Sequence, residues 1–528
     1  DNVPGPIASC ATNTGLCTVT ITGGEVGPAN MQMPTNAGMV FGAGRGEVHD
    51  LADYPNLERV IYVNNTAVSI GGTAWVKGSV YGGSESGHVR HDTHVTVSGG
   101  QVGEGQGMGR VYTSEEWAYD GSETAKSLKE CASWTFASPY APYDPYANAS
   151  GYYDDSNTQE AGGRSTGTDG HTFYGNVFGG GSGYYPYAAG QWLESAGLVE
   201  GNTRVDITGG HILTSVYGGN EMTNVGTGIS GTGGKCVIRM TGGTVGVPRT
   251  AAQAQAHPVT CNLFGAGKGD QRVFFNKSTN VKEVDLQVTG GTVYGSVFGG
   301  GEDGHVLKDV SLTISGSAKV GTTGTSGFDG NVFGGGRGFG GVSLTSGNVG
   351  GSVTLAIGGG TVLGSVYGGG RLASVGFGLF DTNETGYGVM QEDNKDDAGN
   401  TVANFPRGYV TINISGGTIG NDTESTLTHT KGGNVYGGSM GRVTQIDGTT
   451  TNSLWPRMAK VKEATVNISD GTIKANVYGG GELGTVTTNT KVEVNGGNLF
   501  RDLFGGGYGS NDYTTTTDGY TPMQLAGR

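Results

Sequence analysis

Short segments in which apolar and polar residues alternate recur along the whole chain, and most of them end at a glycine pair. Examples are "HVTVSGG" at 94–100, "VDLQVTGG" at 284–291 and "VTINISGG" at 410–417. Alternation with β-branched residues is typical of strands that bury one face, and it argues against helices. We therefore predict short strands, each followed by a corner at the glycine pair, where positive φ or a close backbone approach is needed.

A second apolar element follows each of these strands. It consists of Val or Leu, then Phe or Tyr, then a glycine-rich run, as in "GSVFGGG" at 295–301, and the pattern occurs eleven times. The eleven aromatic residues are Phe41, Tyr81, Phe178, Tyr217, Phe264, Phe298, Phe333, Tyr367, Tyr436, Tyr478 and Phe504. A loop that served one active site would occur once, so the recurrence indicates a repeated structural unit.

Repetition through the whole chain predicts an all-β fold, specifically a parallel β-helix (β-solenoid) of about eleven repeat units that forms a single domain over residues 1–528. One repeat unit cannot bury its apolar face alone, so stacked units would share a continuous core. Four segments depart from the repeat: an N-terminal segment or cap at 1–17, an aromatic-rich excursion at 104–175, a solvated acidic loop excursion at 377–407 and a Thr-rich tail at 508–528.

Side-chain parity predicts which way the aromatic rings point. In "TIKANVYGG", at 472–480, Val477 shares a face with Ile473, while Tyr478 shares the other face with Lys474. Because a lysine is seldom buried, we expect the valines inside and the rings in an external ladder, covered by insertions, by a neighbouring sheet or by a partner. The alternative, with the rings turned inward at a glycine corner, stays open.

Composition excludes several classes of protein. The chain has 106 Gly but only 14 Pro, without the triplet period of collagen. Its 46 acidic and 31 basic residues leave a formal charge of −15, which argues against a nucleic-acid partner. Because an apolar run of about 18 residues is also missing, we expect no transmembrane segment.

Five cysteines offer two candidate disulfides. Cys10 and Cys17 could close a small loop, and Cys236 and Cys261 flank one insertion that they could pin. Either bond would indicate an oxidising compartment. The alternative is that the cysteines are reduced and buried.

The excursion at 104–175 is the most aromatic part of the chain. Aromatic rings beside Asp and Asn can stack on sugar rings and hydrogen-bond their hydroxyls, so a glycan contact is one interpretation. The other is that these rings pack against the repeats. The candidate ligand-binding residues are Trp117, Tyr119, Trp134, Tyr140, Tyr143, Tyr146, Tyr152 and Tyr153.

Candidate catalytic and metal-binding groups are sparse. His88, His91 and His94 lie near Asp92, but no second cluster completes a site, so we predict no metal and no cofactor. Acidic residues follow several glycine corners, one to a unit, which indicates solvated turns more than the paired carboxylates of a polysaccharide-degrading enzyme. These residues are Glu85, Glu221, Glu302 and Glu482. We predict no catalytic residues.

The strings "ISGGTI" at 414–419 and "TVLGSVYGGG" at 361–370 resemble the glycine-rich repeats of large secreted bacterial surface proteins that are described as adhesin-like. The resemblance covers nearly the whole chain except the two excursions and the tail. It implies parallel β-helix architecture and a place at the bacterial cell surface, and it transfers no catalytic residue.

We therefore expect a non-enzymatic, extracellular structural or adhesin-like protein that displays loops for contact with a cell surface, a glycan or a protein. The expected partners are other copies of the chain or other surface proteins, with glycans as a further candidate. One alternative is a self-assembling filament or surface-complex subunit. A second is a β-helix enzyme that degrades polysaccharides.

Overall fold

A computed structural model describes residues 15–27, 38–46, 62–103, 175–183, 196–246, 261–269, 279–321, 330–338, 345–378, 391–421, 432–441 and 458–509. No helix occurs in these ranges, and the regular structure consists of 34 strands, numbered β1 to β34 in chain order. With no helix there, the described part has none that could cross a membrane.

Seventeen of the described strands form one parallel sheet, here called the long sheet. They are β1 (Leu16–Ile21), β2 (Glu25–Val26), β5 (Asn65–Ile70), β6 (Trp75–Val76), β9 (Thr93–Val102), β11 (Thr203–Ile212), β13 (Lys235–Met240), β14 (Thr244–Val245), β17 (Glu283–Val288), β18 (Thr292–Val293), β21 (Val310–Ile314), β22 (Lys319–Val320), β24 (Val353–Val362), β26 (Tyr409–Ile419), β29 (Glu463–Ile473), β32 (Thr490–Val494) and β33 (Asn498–Leu499).

Eleven two-residue strands form a second parallel sheet, the Val–aromatic sheet, in which the described strands follow one another in chain order. They are β3 (Val40–Phe41), β7 (Val80–Tyr81), β10 (Val177–Phe178), β12 (Val216–Tyr217), β15 (Leu263–Phe264), β19 (Val297–Phe298), β23 (Val332–Phe333), β25 (Val366–Tyr367), β27 (Val435–Tyr436), β30 (Val477–Tyr478) and β34 (Leu503–Phe504).

The remaining described strands form three parallel pairs. The pairs are β4 (Tyr62–Val63) with β8 (His88–Val89), β16 (Asn280–Val281) with β20 (His305–Val306), and β28 (Lys460–Val461) with β31 (Thr485–Val486).

Successive repeat units pair residue by residue. Ile412 of β26 lies opposite Leu355 of β24 on one side and Val466 of β29 on the other. The alternating sequence therefore places apolar residues opposite apolar residues all along the sheet. Their side chains form one continuous aliphatic cluster, in which residues from Val68 to Val477 are buried. The predicted alternation of buried and outward positions is present in these strands.

Several strands run through the glycine pair that was expected to end them. In β11 and β24 the strand continues across the glycines with a shift of register at that point, where Gly210 and Gly360 adopt positive φ values of 79° and 75°. Each of these strands consequently pairs with two strands of the next or preceding unit, β11 with β13 and β14, and β24 with β21 and β22. The glycine pair acts there as a β-bulge and not as a corner between sheets.

This pairing corrects the predicted fold class. The pairs β13–β17–β21 and β14–β18–β22 connect β11 to β24 by two routes, which closes a ring of eight parallel strands among the described residues. The chain is all-β, but eight of the seventeen strands of the long sheet close into a parallel barrel, and the prediction of a parallel β-helix (β-solenoid) is wrong. The error came from treating every glycine pair as the end of a strand.

Candidate functional site

The structure places the eleven aromatic residues of the repeats in one stack, here called the aromatic column. Neighbouring ring centroids lie 4.6–5.1 Å apart, and neighbouring ring planes differ by 3–14°. Nine of the rings, from Tyr81 to Tyr478, are at most 4% exposed. Stacked pairs of this kind contribute about 0.5–1.5 kcal/mol each beyond their buried area, so the column is a major stabilising feature.

The aromatic column is separate from the aliphatic core. Val477 belongs to the aliphatic cluster, whereas Tyr478 belongs to a second cluster made of the rings with Met440. The two residues are adjacent on a strand and therefore point to opposite faces. The rings thus lie on the face away from the valines, and they are buried there.

Glycine after each ring allows the units to approach closely. A Cβ added to Gly334 would lie 2.2 Å from the carbonyl oxygen of Gly368 in the next unit, and one added to Gly368 would lie 2.3 Å from that of Gly437. Real Cβ atoms do not approach oxygen so closely, so these positions need glycine for space. The Val–aromatic–Gly motif therefore follows from the packing of one unit on the next.

A second column, of Ser and Asn side chains, precedes the valines and was missed by the sequence analysis. Each side chain accepts a hydrogen bond from the backbone N–H of the equivalent residue in the next unit. Asn331 Oδ1, for example, accepts from Ser365 N at 2.8 Å, and Ser365 Oγ accepts from Asn434 N at 3.2 Å. The members are Ser79, Asn176, Ser215, Asn262, Ser296, Asn331, Ser365, Asn434 and Asn476, with Asp502 after them.

The sequence carried a signal for this Ser/Asn column. Nine of the eleven residues that lie two positions before the aromatic residue are Ser or Asn. Such side chains satisfy buried backbone donors, which water cannot reach.

Charged residues four positions after the rings are buried, which corrects the interpretation of the glycine-corner acids as solvated turns. Glu221 is 1% exposed and its Oε1 lies 3.2 Å from Lys268 Nζ; Glu302 is 4% exposed and its Oε1 lies 3.3 Å from an Arg337 nitrogen. Glu85 and Glu482 are also buried. The prediction failed because the corner folds back against the aromatic column.

Tyrosines of the aromatic column bind these carboxylates two units further along the chain. The Tyr81 hydroxyl donates to Glu221 at 2.6 Å, and the Tyr217 hydroxyl donates to Glu302 at 2.5 Å. Tyr367 donates to Glu482 in the same way. A carboxylate can stay charged in a buried place only when cations and donors satisfy it, so these contacts stabilise the burial and connect non-adjacent units.

The acidic excursion at 377–407 is fastened to the repeats where the structure describes it. The Arg407 side chain is buried, and its Nε donates to Gly350 O at 2.7 Å while another nitrogen lies 2.7 Å from Asp397. Asp393 accepts hydrogen bonds from Arg407 N, from the Tyr409 hydroxyl and from Lys462 Nζ at 2.8–2.9 Å. These contacts anchor the excursion to the repeats, while residues 397–401 are exposed.

Hydrogen bonds also set the charge of Asp393. Burial alone would raise the pKa of this carboxyl group, but the donated bonds from Arg407 N and Lys462 hold the pKa below its usual value. The carboxylate therefore anchors the loop in its charged form.

The histidines considered as metal ligands do not converge. His88 is buried against the Tyr62 ring, with centroids 4.7 Å apart, whereas His91 is exposed. His94 Nε2 lies 2.6 Å from Asp206, and Asp92 accepts from Asn202. In the described ranges, no three His, Cys, Asp or Glu side chains are placed to hold a metal ion.

The outer face of the long sheet carries a charged cluster around Asp206. Arg204 donates two hydrogen bonds to this carboxylate, at 2.7 and 2.9 Å, and His94 contacts the same group. Burial raises the pKa of Asp206, but the bonds from His94 and Arg204 outweigh it and lower the pKa. The cluster is internally satisfied and leaves no unpaired group for catalysis among these three residues.

The Cys236–Cys261 disulfide considered from the sequence is not formed. Cys236 is a free thiol on β13, where the Thr203 hydroxyl donates to its sulfur at 3.1 Å. Cys261 precedes β15 in the other sheet, and its thiol lies 3.6 Å from Leu213 O. The two residues lie at different sheets of the fold, so although they flank the same insertion in the sequence, they are not brought together. The Cys10–Cys17 pair falls partly outside the described residues.

The candidate glycan-binding residues also fall outside the described residues. They are Trp117, Tyr119, Trp134, Tyr140, Tyr143, Tyr146, Tyr152 and Tyr153. Comparison of the chain with protein-family models, with curated proteins and with solved structures found no match.

Proposed function

We propose that this chain is a non-enzymatic structural protein that holds loop excursions for contact with a cell surface, a glycan or another protein. The observation that carries the proposal is the aromatic column, which runs through every repeat unit with ring centroids 4.6–5.1 Å apart. A continuous stack of buried rings makes a support that resists bending and unfolding.

The polar groups of the repeats favour the same role. Glu221 and Glu302 are engaged with a cation and a tyrosine each, and the Ser/Asn column binds backbone N–H groups. These groups stabilise the packing of one unit on the next. The contacts of Arg407, which hold part of an excursion against the repeats, also support the proposal.

A place outside the cell, at a bacterial surface, is supported by the resemblance of the repeats to secreted surface proteins. The cysteines add nothing to this, because Cys236 is a buried free thiol and would be equally stable in a reducing compartment.

The proposal is tested by binding of the purified chain to a glycan array and to bacterial and host cells. We expect binding that is lost when residues 110–170 are deleted and kept when the exposed residues 398–400 are replaced by Gly and Ser. Unchanged melting temperatures would show that both variants fold. Release of sugars from a polysaccharide by the purified chain would instead establish the enzymatic alternative and overturn the proposal.

A further inference from the structure

The last described repeat unit leaves apolar side chains exposed that its predecessors bury. In β32, Val494 is 42% exposed, whereas Ile468, which pairs with it, is 1% exposed. In β34, Leu503 and Phe504 are 46% and 42% exposed, although their respective partners Val477 and Tyr478 are only 0% and 3% exposed. Together with Phe500, which is 62% exposed, these residues form what we call the β32–β34 end face.

The first described unit has a corresponding uncovered surface, on the side that faces away from the second unit. Strands β1, β2 and β3 pair with β5, β6 and β7 of the next unit. Leu16 is 41% exposed, and Val19, Ile21 and Val26 are only half-buried. We call this surface the β1–β3 end face.

The two end faces match column by column. Continuing the register of the sheets would place Val19 over Val492 and Phe41 over Phe504. Each such pair repeats a contact that neighbouring units already make inside the chain, including ring stacking at 4.6–5.1 Å. The end faces therefore have the same shape and polarity as an interface that the protein already forms ten times in the aromatic column.

The hydrogen bonds of the Ser/Asn column also favour contact between the two end faces in this orientation. In the Ser/Asn column every side chain accepts from the backbone N–H of the following unit. The exposed Asp502, whose N–H donates to Asn476 Oδ1 at 3.1 Å, has the equivalent position in the last described unit, and its carboxylate is an acceptor of the kind that the column uses. The equivalent residue of the first unit is Met39, whose sulfur accepts from Ser79 N at 3.1 Å. The Met39 N–H is the donor that continuation of the column would bring to Asp502.

We propose that the β32–β34 end face binds the β1–β3 end face of a second copy of this chain, which continues both sheets in parallel register. The contact is heterologous, so it extends head to tail and does not close into a two-fold dimer. It also covers two open sheet edges that would otherwise template unselective pairing. This inference rests on the structural role proposed above and adds the partner, another copy of the chain.

Sedimentation velocity and negative-stain imaging over a range of concentrations test the inference. We expect the full chain to form linear oligomers whose average length increases with concentration. The variant L503K/F504K blocks one end face, F41K blocks the other, and T354K, on the exposed outer surface of a middle unit, is the control. Each blocked variant should weaken association by about 30-fold or more, as expected for a buried apolar anchor, whereas T354K should leave it unchanged.

Mixing the two blocked variants distinguishes head-to-tail contact from other geometries. Each variant alone should be monomeric, and the mixture should form a one-to-one dimer through the single pair of intact end faces. A full chain that stays monomeric at about 100 µM, where any contact with a Kd below that concentration would be populated, or a mixture that forms no dimer, would overturn the inference. Loss of ligand binding with association intact would overturn only the loop-displaying function.

Discussion

At the scale of single residues, burial sets the chemistry of the thiol and imidazole groups. Cys236 lies in the core between Thr203 and Val284, and His305 lies on β20 with its Nδ1 3.1 Å from Asn280 Oδ1. Both side chains are fully buried. Burial disfavours the charged form of either group, so the pKa of the thiol rises and the pKa of the imidazole falls.

Cys236 is expected to be unreactive in the folded protein. Burial raises the pKa of its thiol to about 12, although the hydrogen bond from Thr203 works in the opposite direction. Thiolate is the reactive form, and at pH 8 its fraction would be on the order of 1 in 10,000. Mass spectrometry after iodoacetamide treatment should find Cys236 unmodified in buffer and modified in guanidinium chloride.

Half-buried Cys17 is the internal control for this labelling experiment, and it should react faster than Cys236. Modification of Cys236 at the rate of Cys17, or recovery of a peptide in which Cys236 is bonded to Cys261, would contradict the structure.

His305 should make the protein less stable in mild acid. Burial lowers its pKa from 6.5 to about 4, and a hydrogen bond with the Thr345 backbone and the charge of Asp397 raise it only in part. The unfolded chain takes up a proton near pH 6.5 while the folded chain does not. The free energy of unfolding therefore falls by about 3 kcal/mol as the pH drops from 6.5 to 4.

Urea unfolding at pH 7.5 and pH 4.5 measures this effect. The difference between the two unfolding free energies should shrink by about 2–3 kcal/mol in H305N relative to the unchanged chain. H91N, at an exposed position, is the matched control. An H305N variant with the same pH dependence as the unchanged chain would show that His305 is not buried as described.

At the scale of the element, each position of the Val–aromatic–Gly strand makes a different contact. Its valine fills the aliphatic core, its ring joins the aromatic column, and its glycine lets the next backbone approach. The residue before the valine then satisfies an N–H of the next unit. Four consecutive positions thus have four different physical requirements, which is why the motif recurs with so little variation.

The glycine of this strand gives a prediction with an internal control. Gly334 and Gly505 occupy the same position in two units, but a Cβ at Gly334 would lie 2.2 Å from Gly368 O, while one at Gly505 would meet nothing within 4 Å. We expect Gly334→Ala to lower the free energy of unfolding by about 1–3 kcal/mol through overpacking. In the monomer, at low protein concentration, we expect Gly505→Ala to change it by less than about 0.5 kcal/mol.

Thermal or urea unfolding of the two variants decides this point. Equal effects of Gly334→Ala and Gly505→Ala would mean that the units do not pack at the spacing described here.

At the scale of the whole molecule, the sequence was sufficient for the repeats but not for their connections. Alternation of residues such as Ile412, Asn413 and Ile414 predicted all-β structure, because only a strand gives that period a buried face. It did not predict that β11 and β24 continue through their glycine pairs, since glycine is compatible both with a corner and with a bulge. The closed pairing of the long sheet depends on that difference.

The burial of polar groups was the other feature that the sequence did not predict. Glu221 and Glu302 looked like solvated turn residues because a single sequence does not show that Tyr81 and Tyr217 reach them from two units away. Such contacts depend on tertiary packing, and the sequence separation of 140 residues between Tyr81 and Glu221 hides them. The Ser/Asn column was visible as a pattern, but its role needed the register between units.

The central claim is that successive repeat units pair in parallel at a fixed register, and engineered disulfides test it most directly. Asn413 and Asn467 are register partners on the outer face of β26 and β29, with an amide contact of 2.9 Å. Adjacent strands are about 4.8 Å apart, which suits a disulfide, whereas a partner shifted by two residues is about 7–8 Å away, which does not.

The measurement is the yield of each cross-link under mild oxidation, determined by peptide mass spectrometry. N413C/N467C should form an intramolecular disulfide in nearly all molecules, and T411C/N467C, which is shifted by two residues, should form little. Equal or greater cross-linking of the shifted pair would contradict the register and, with it, the aromatic column and the end-to-end contact that depend on it.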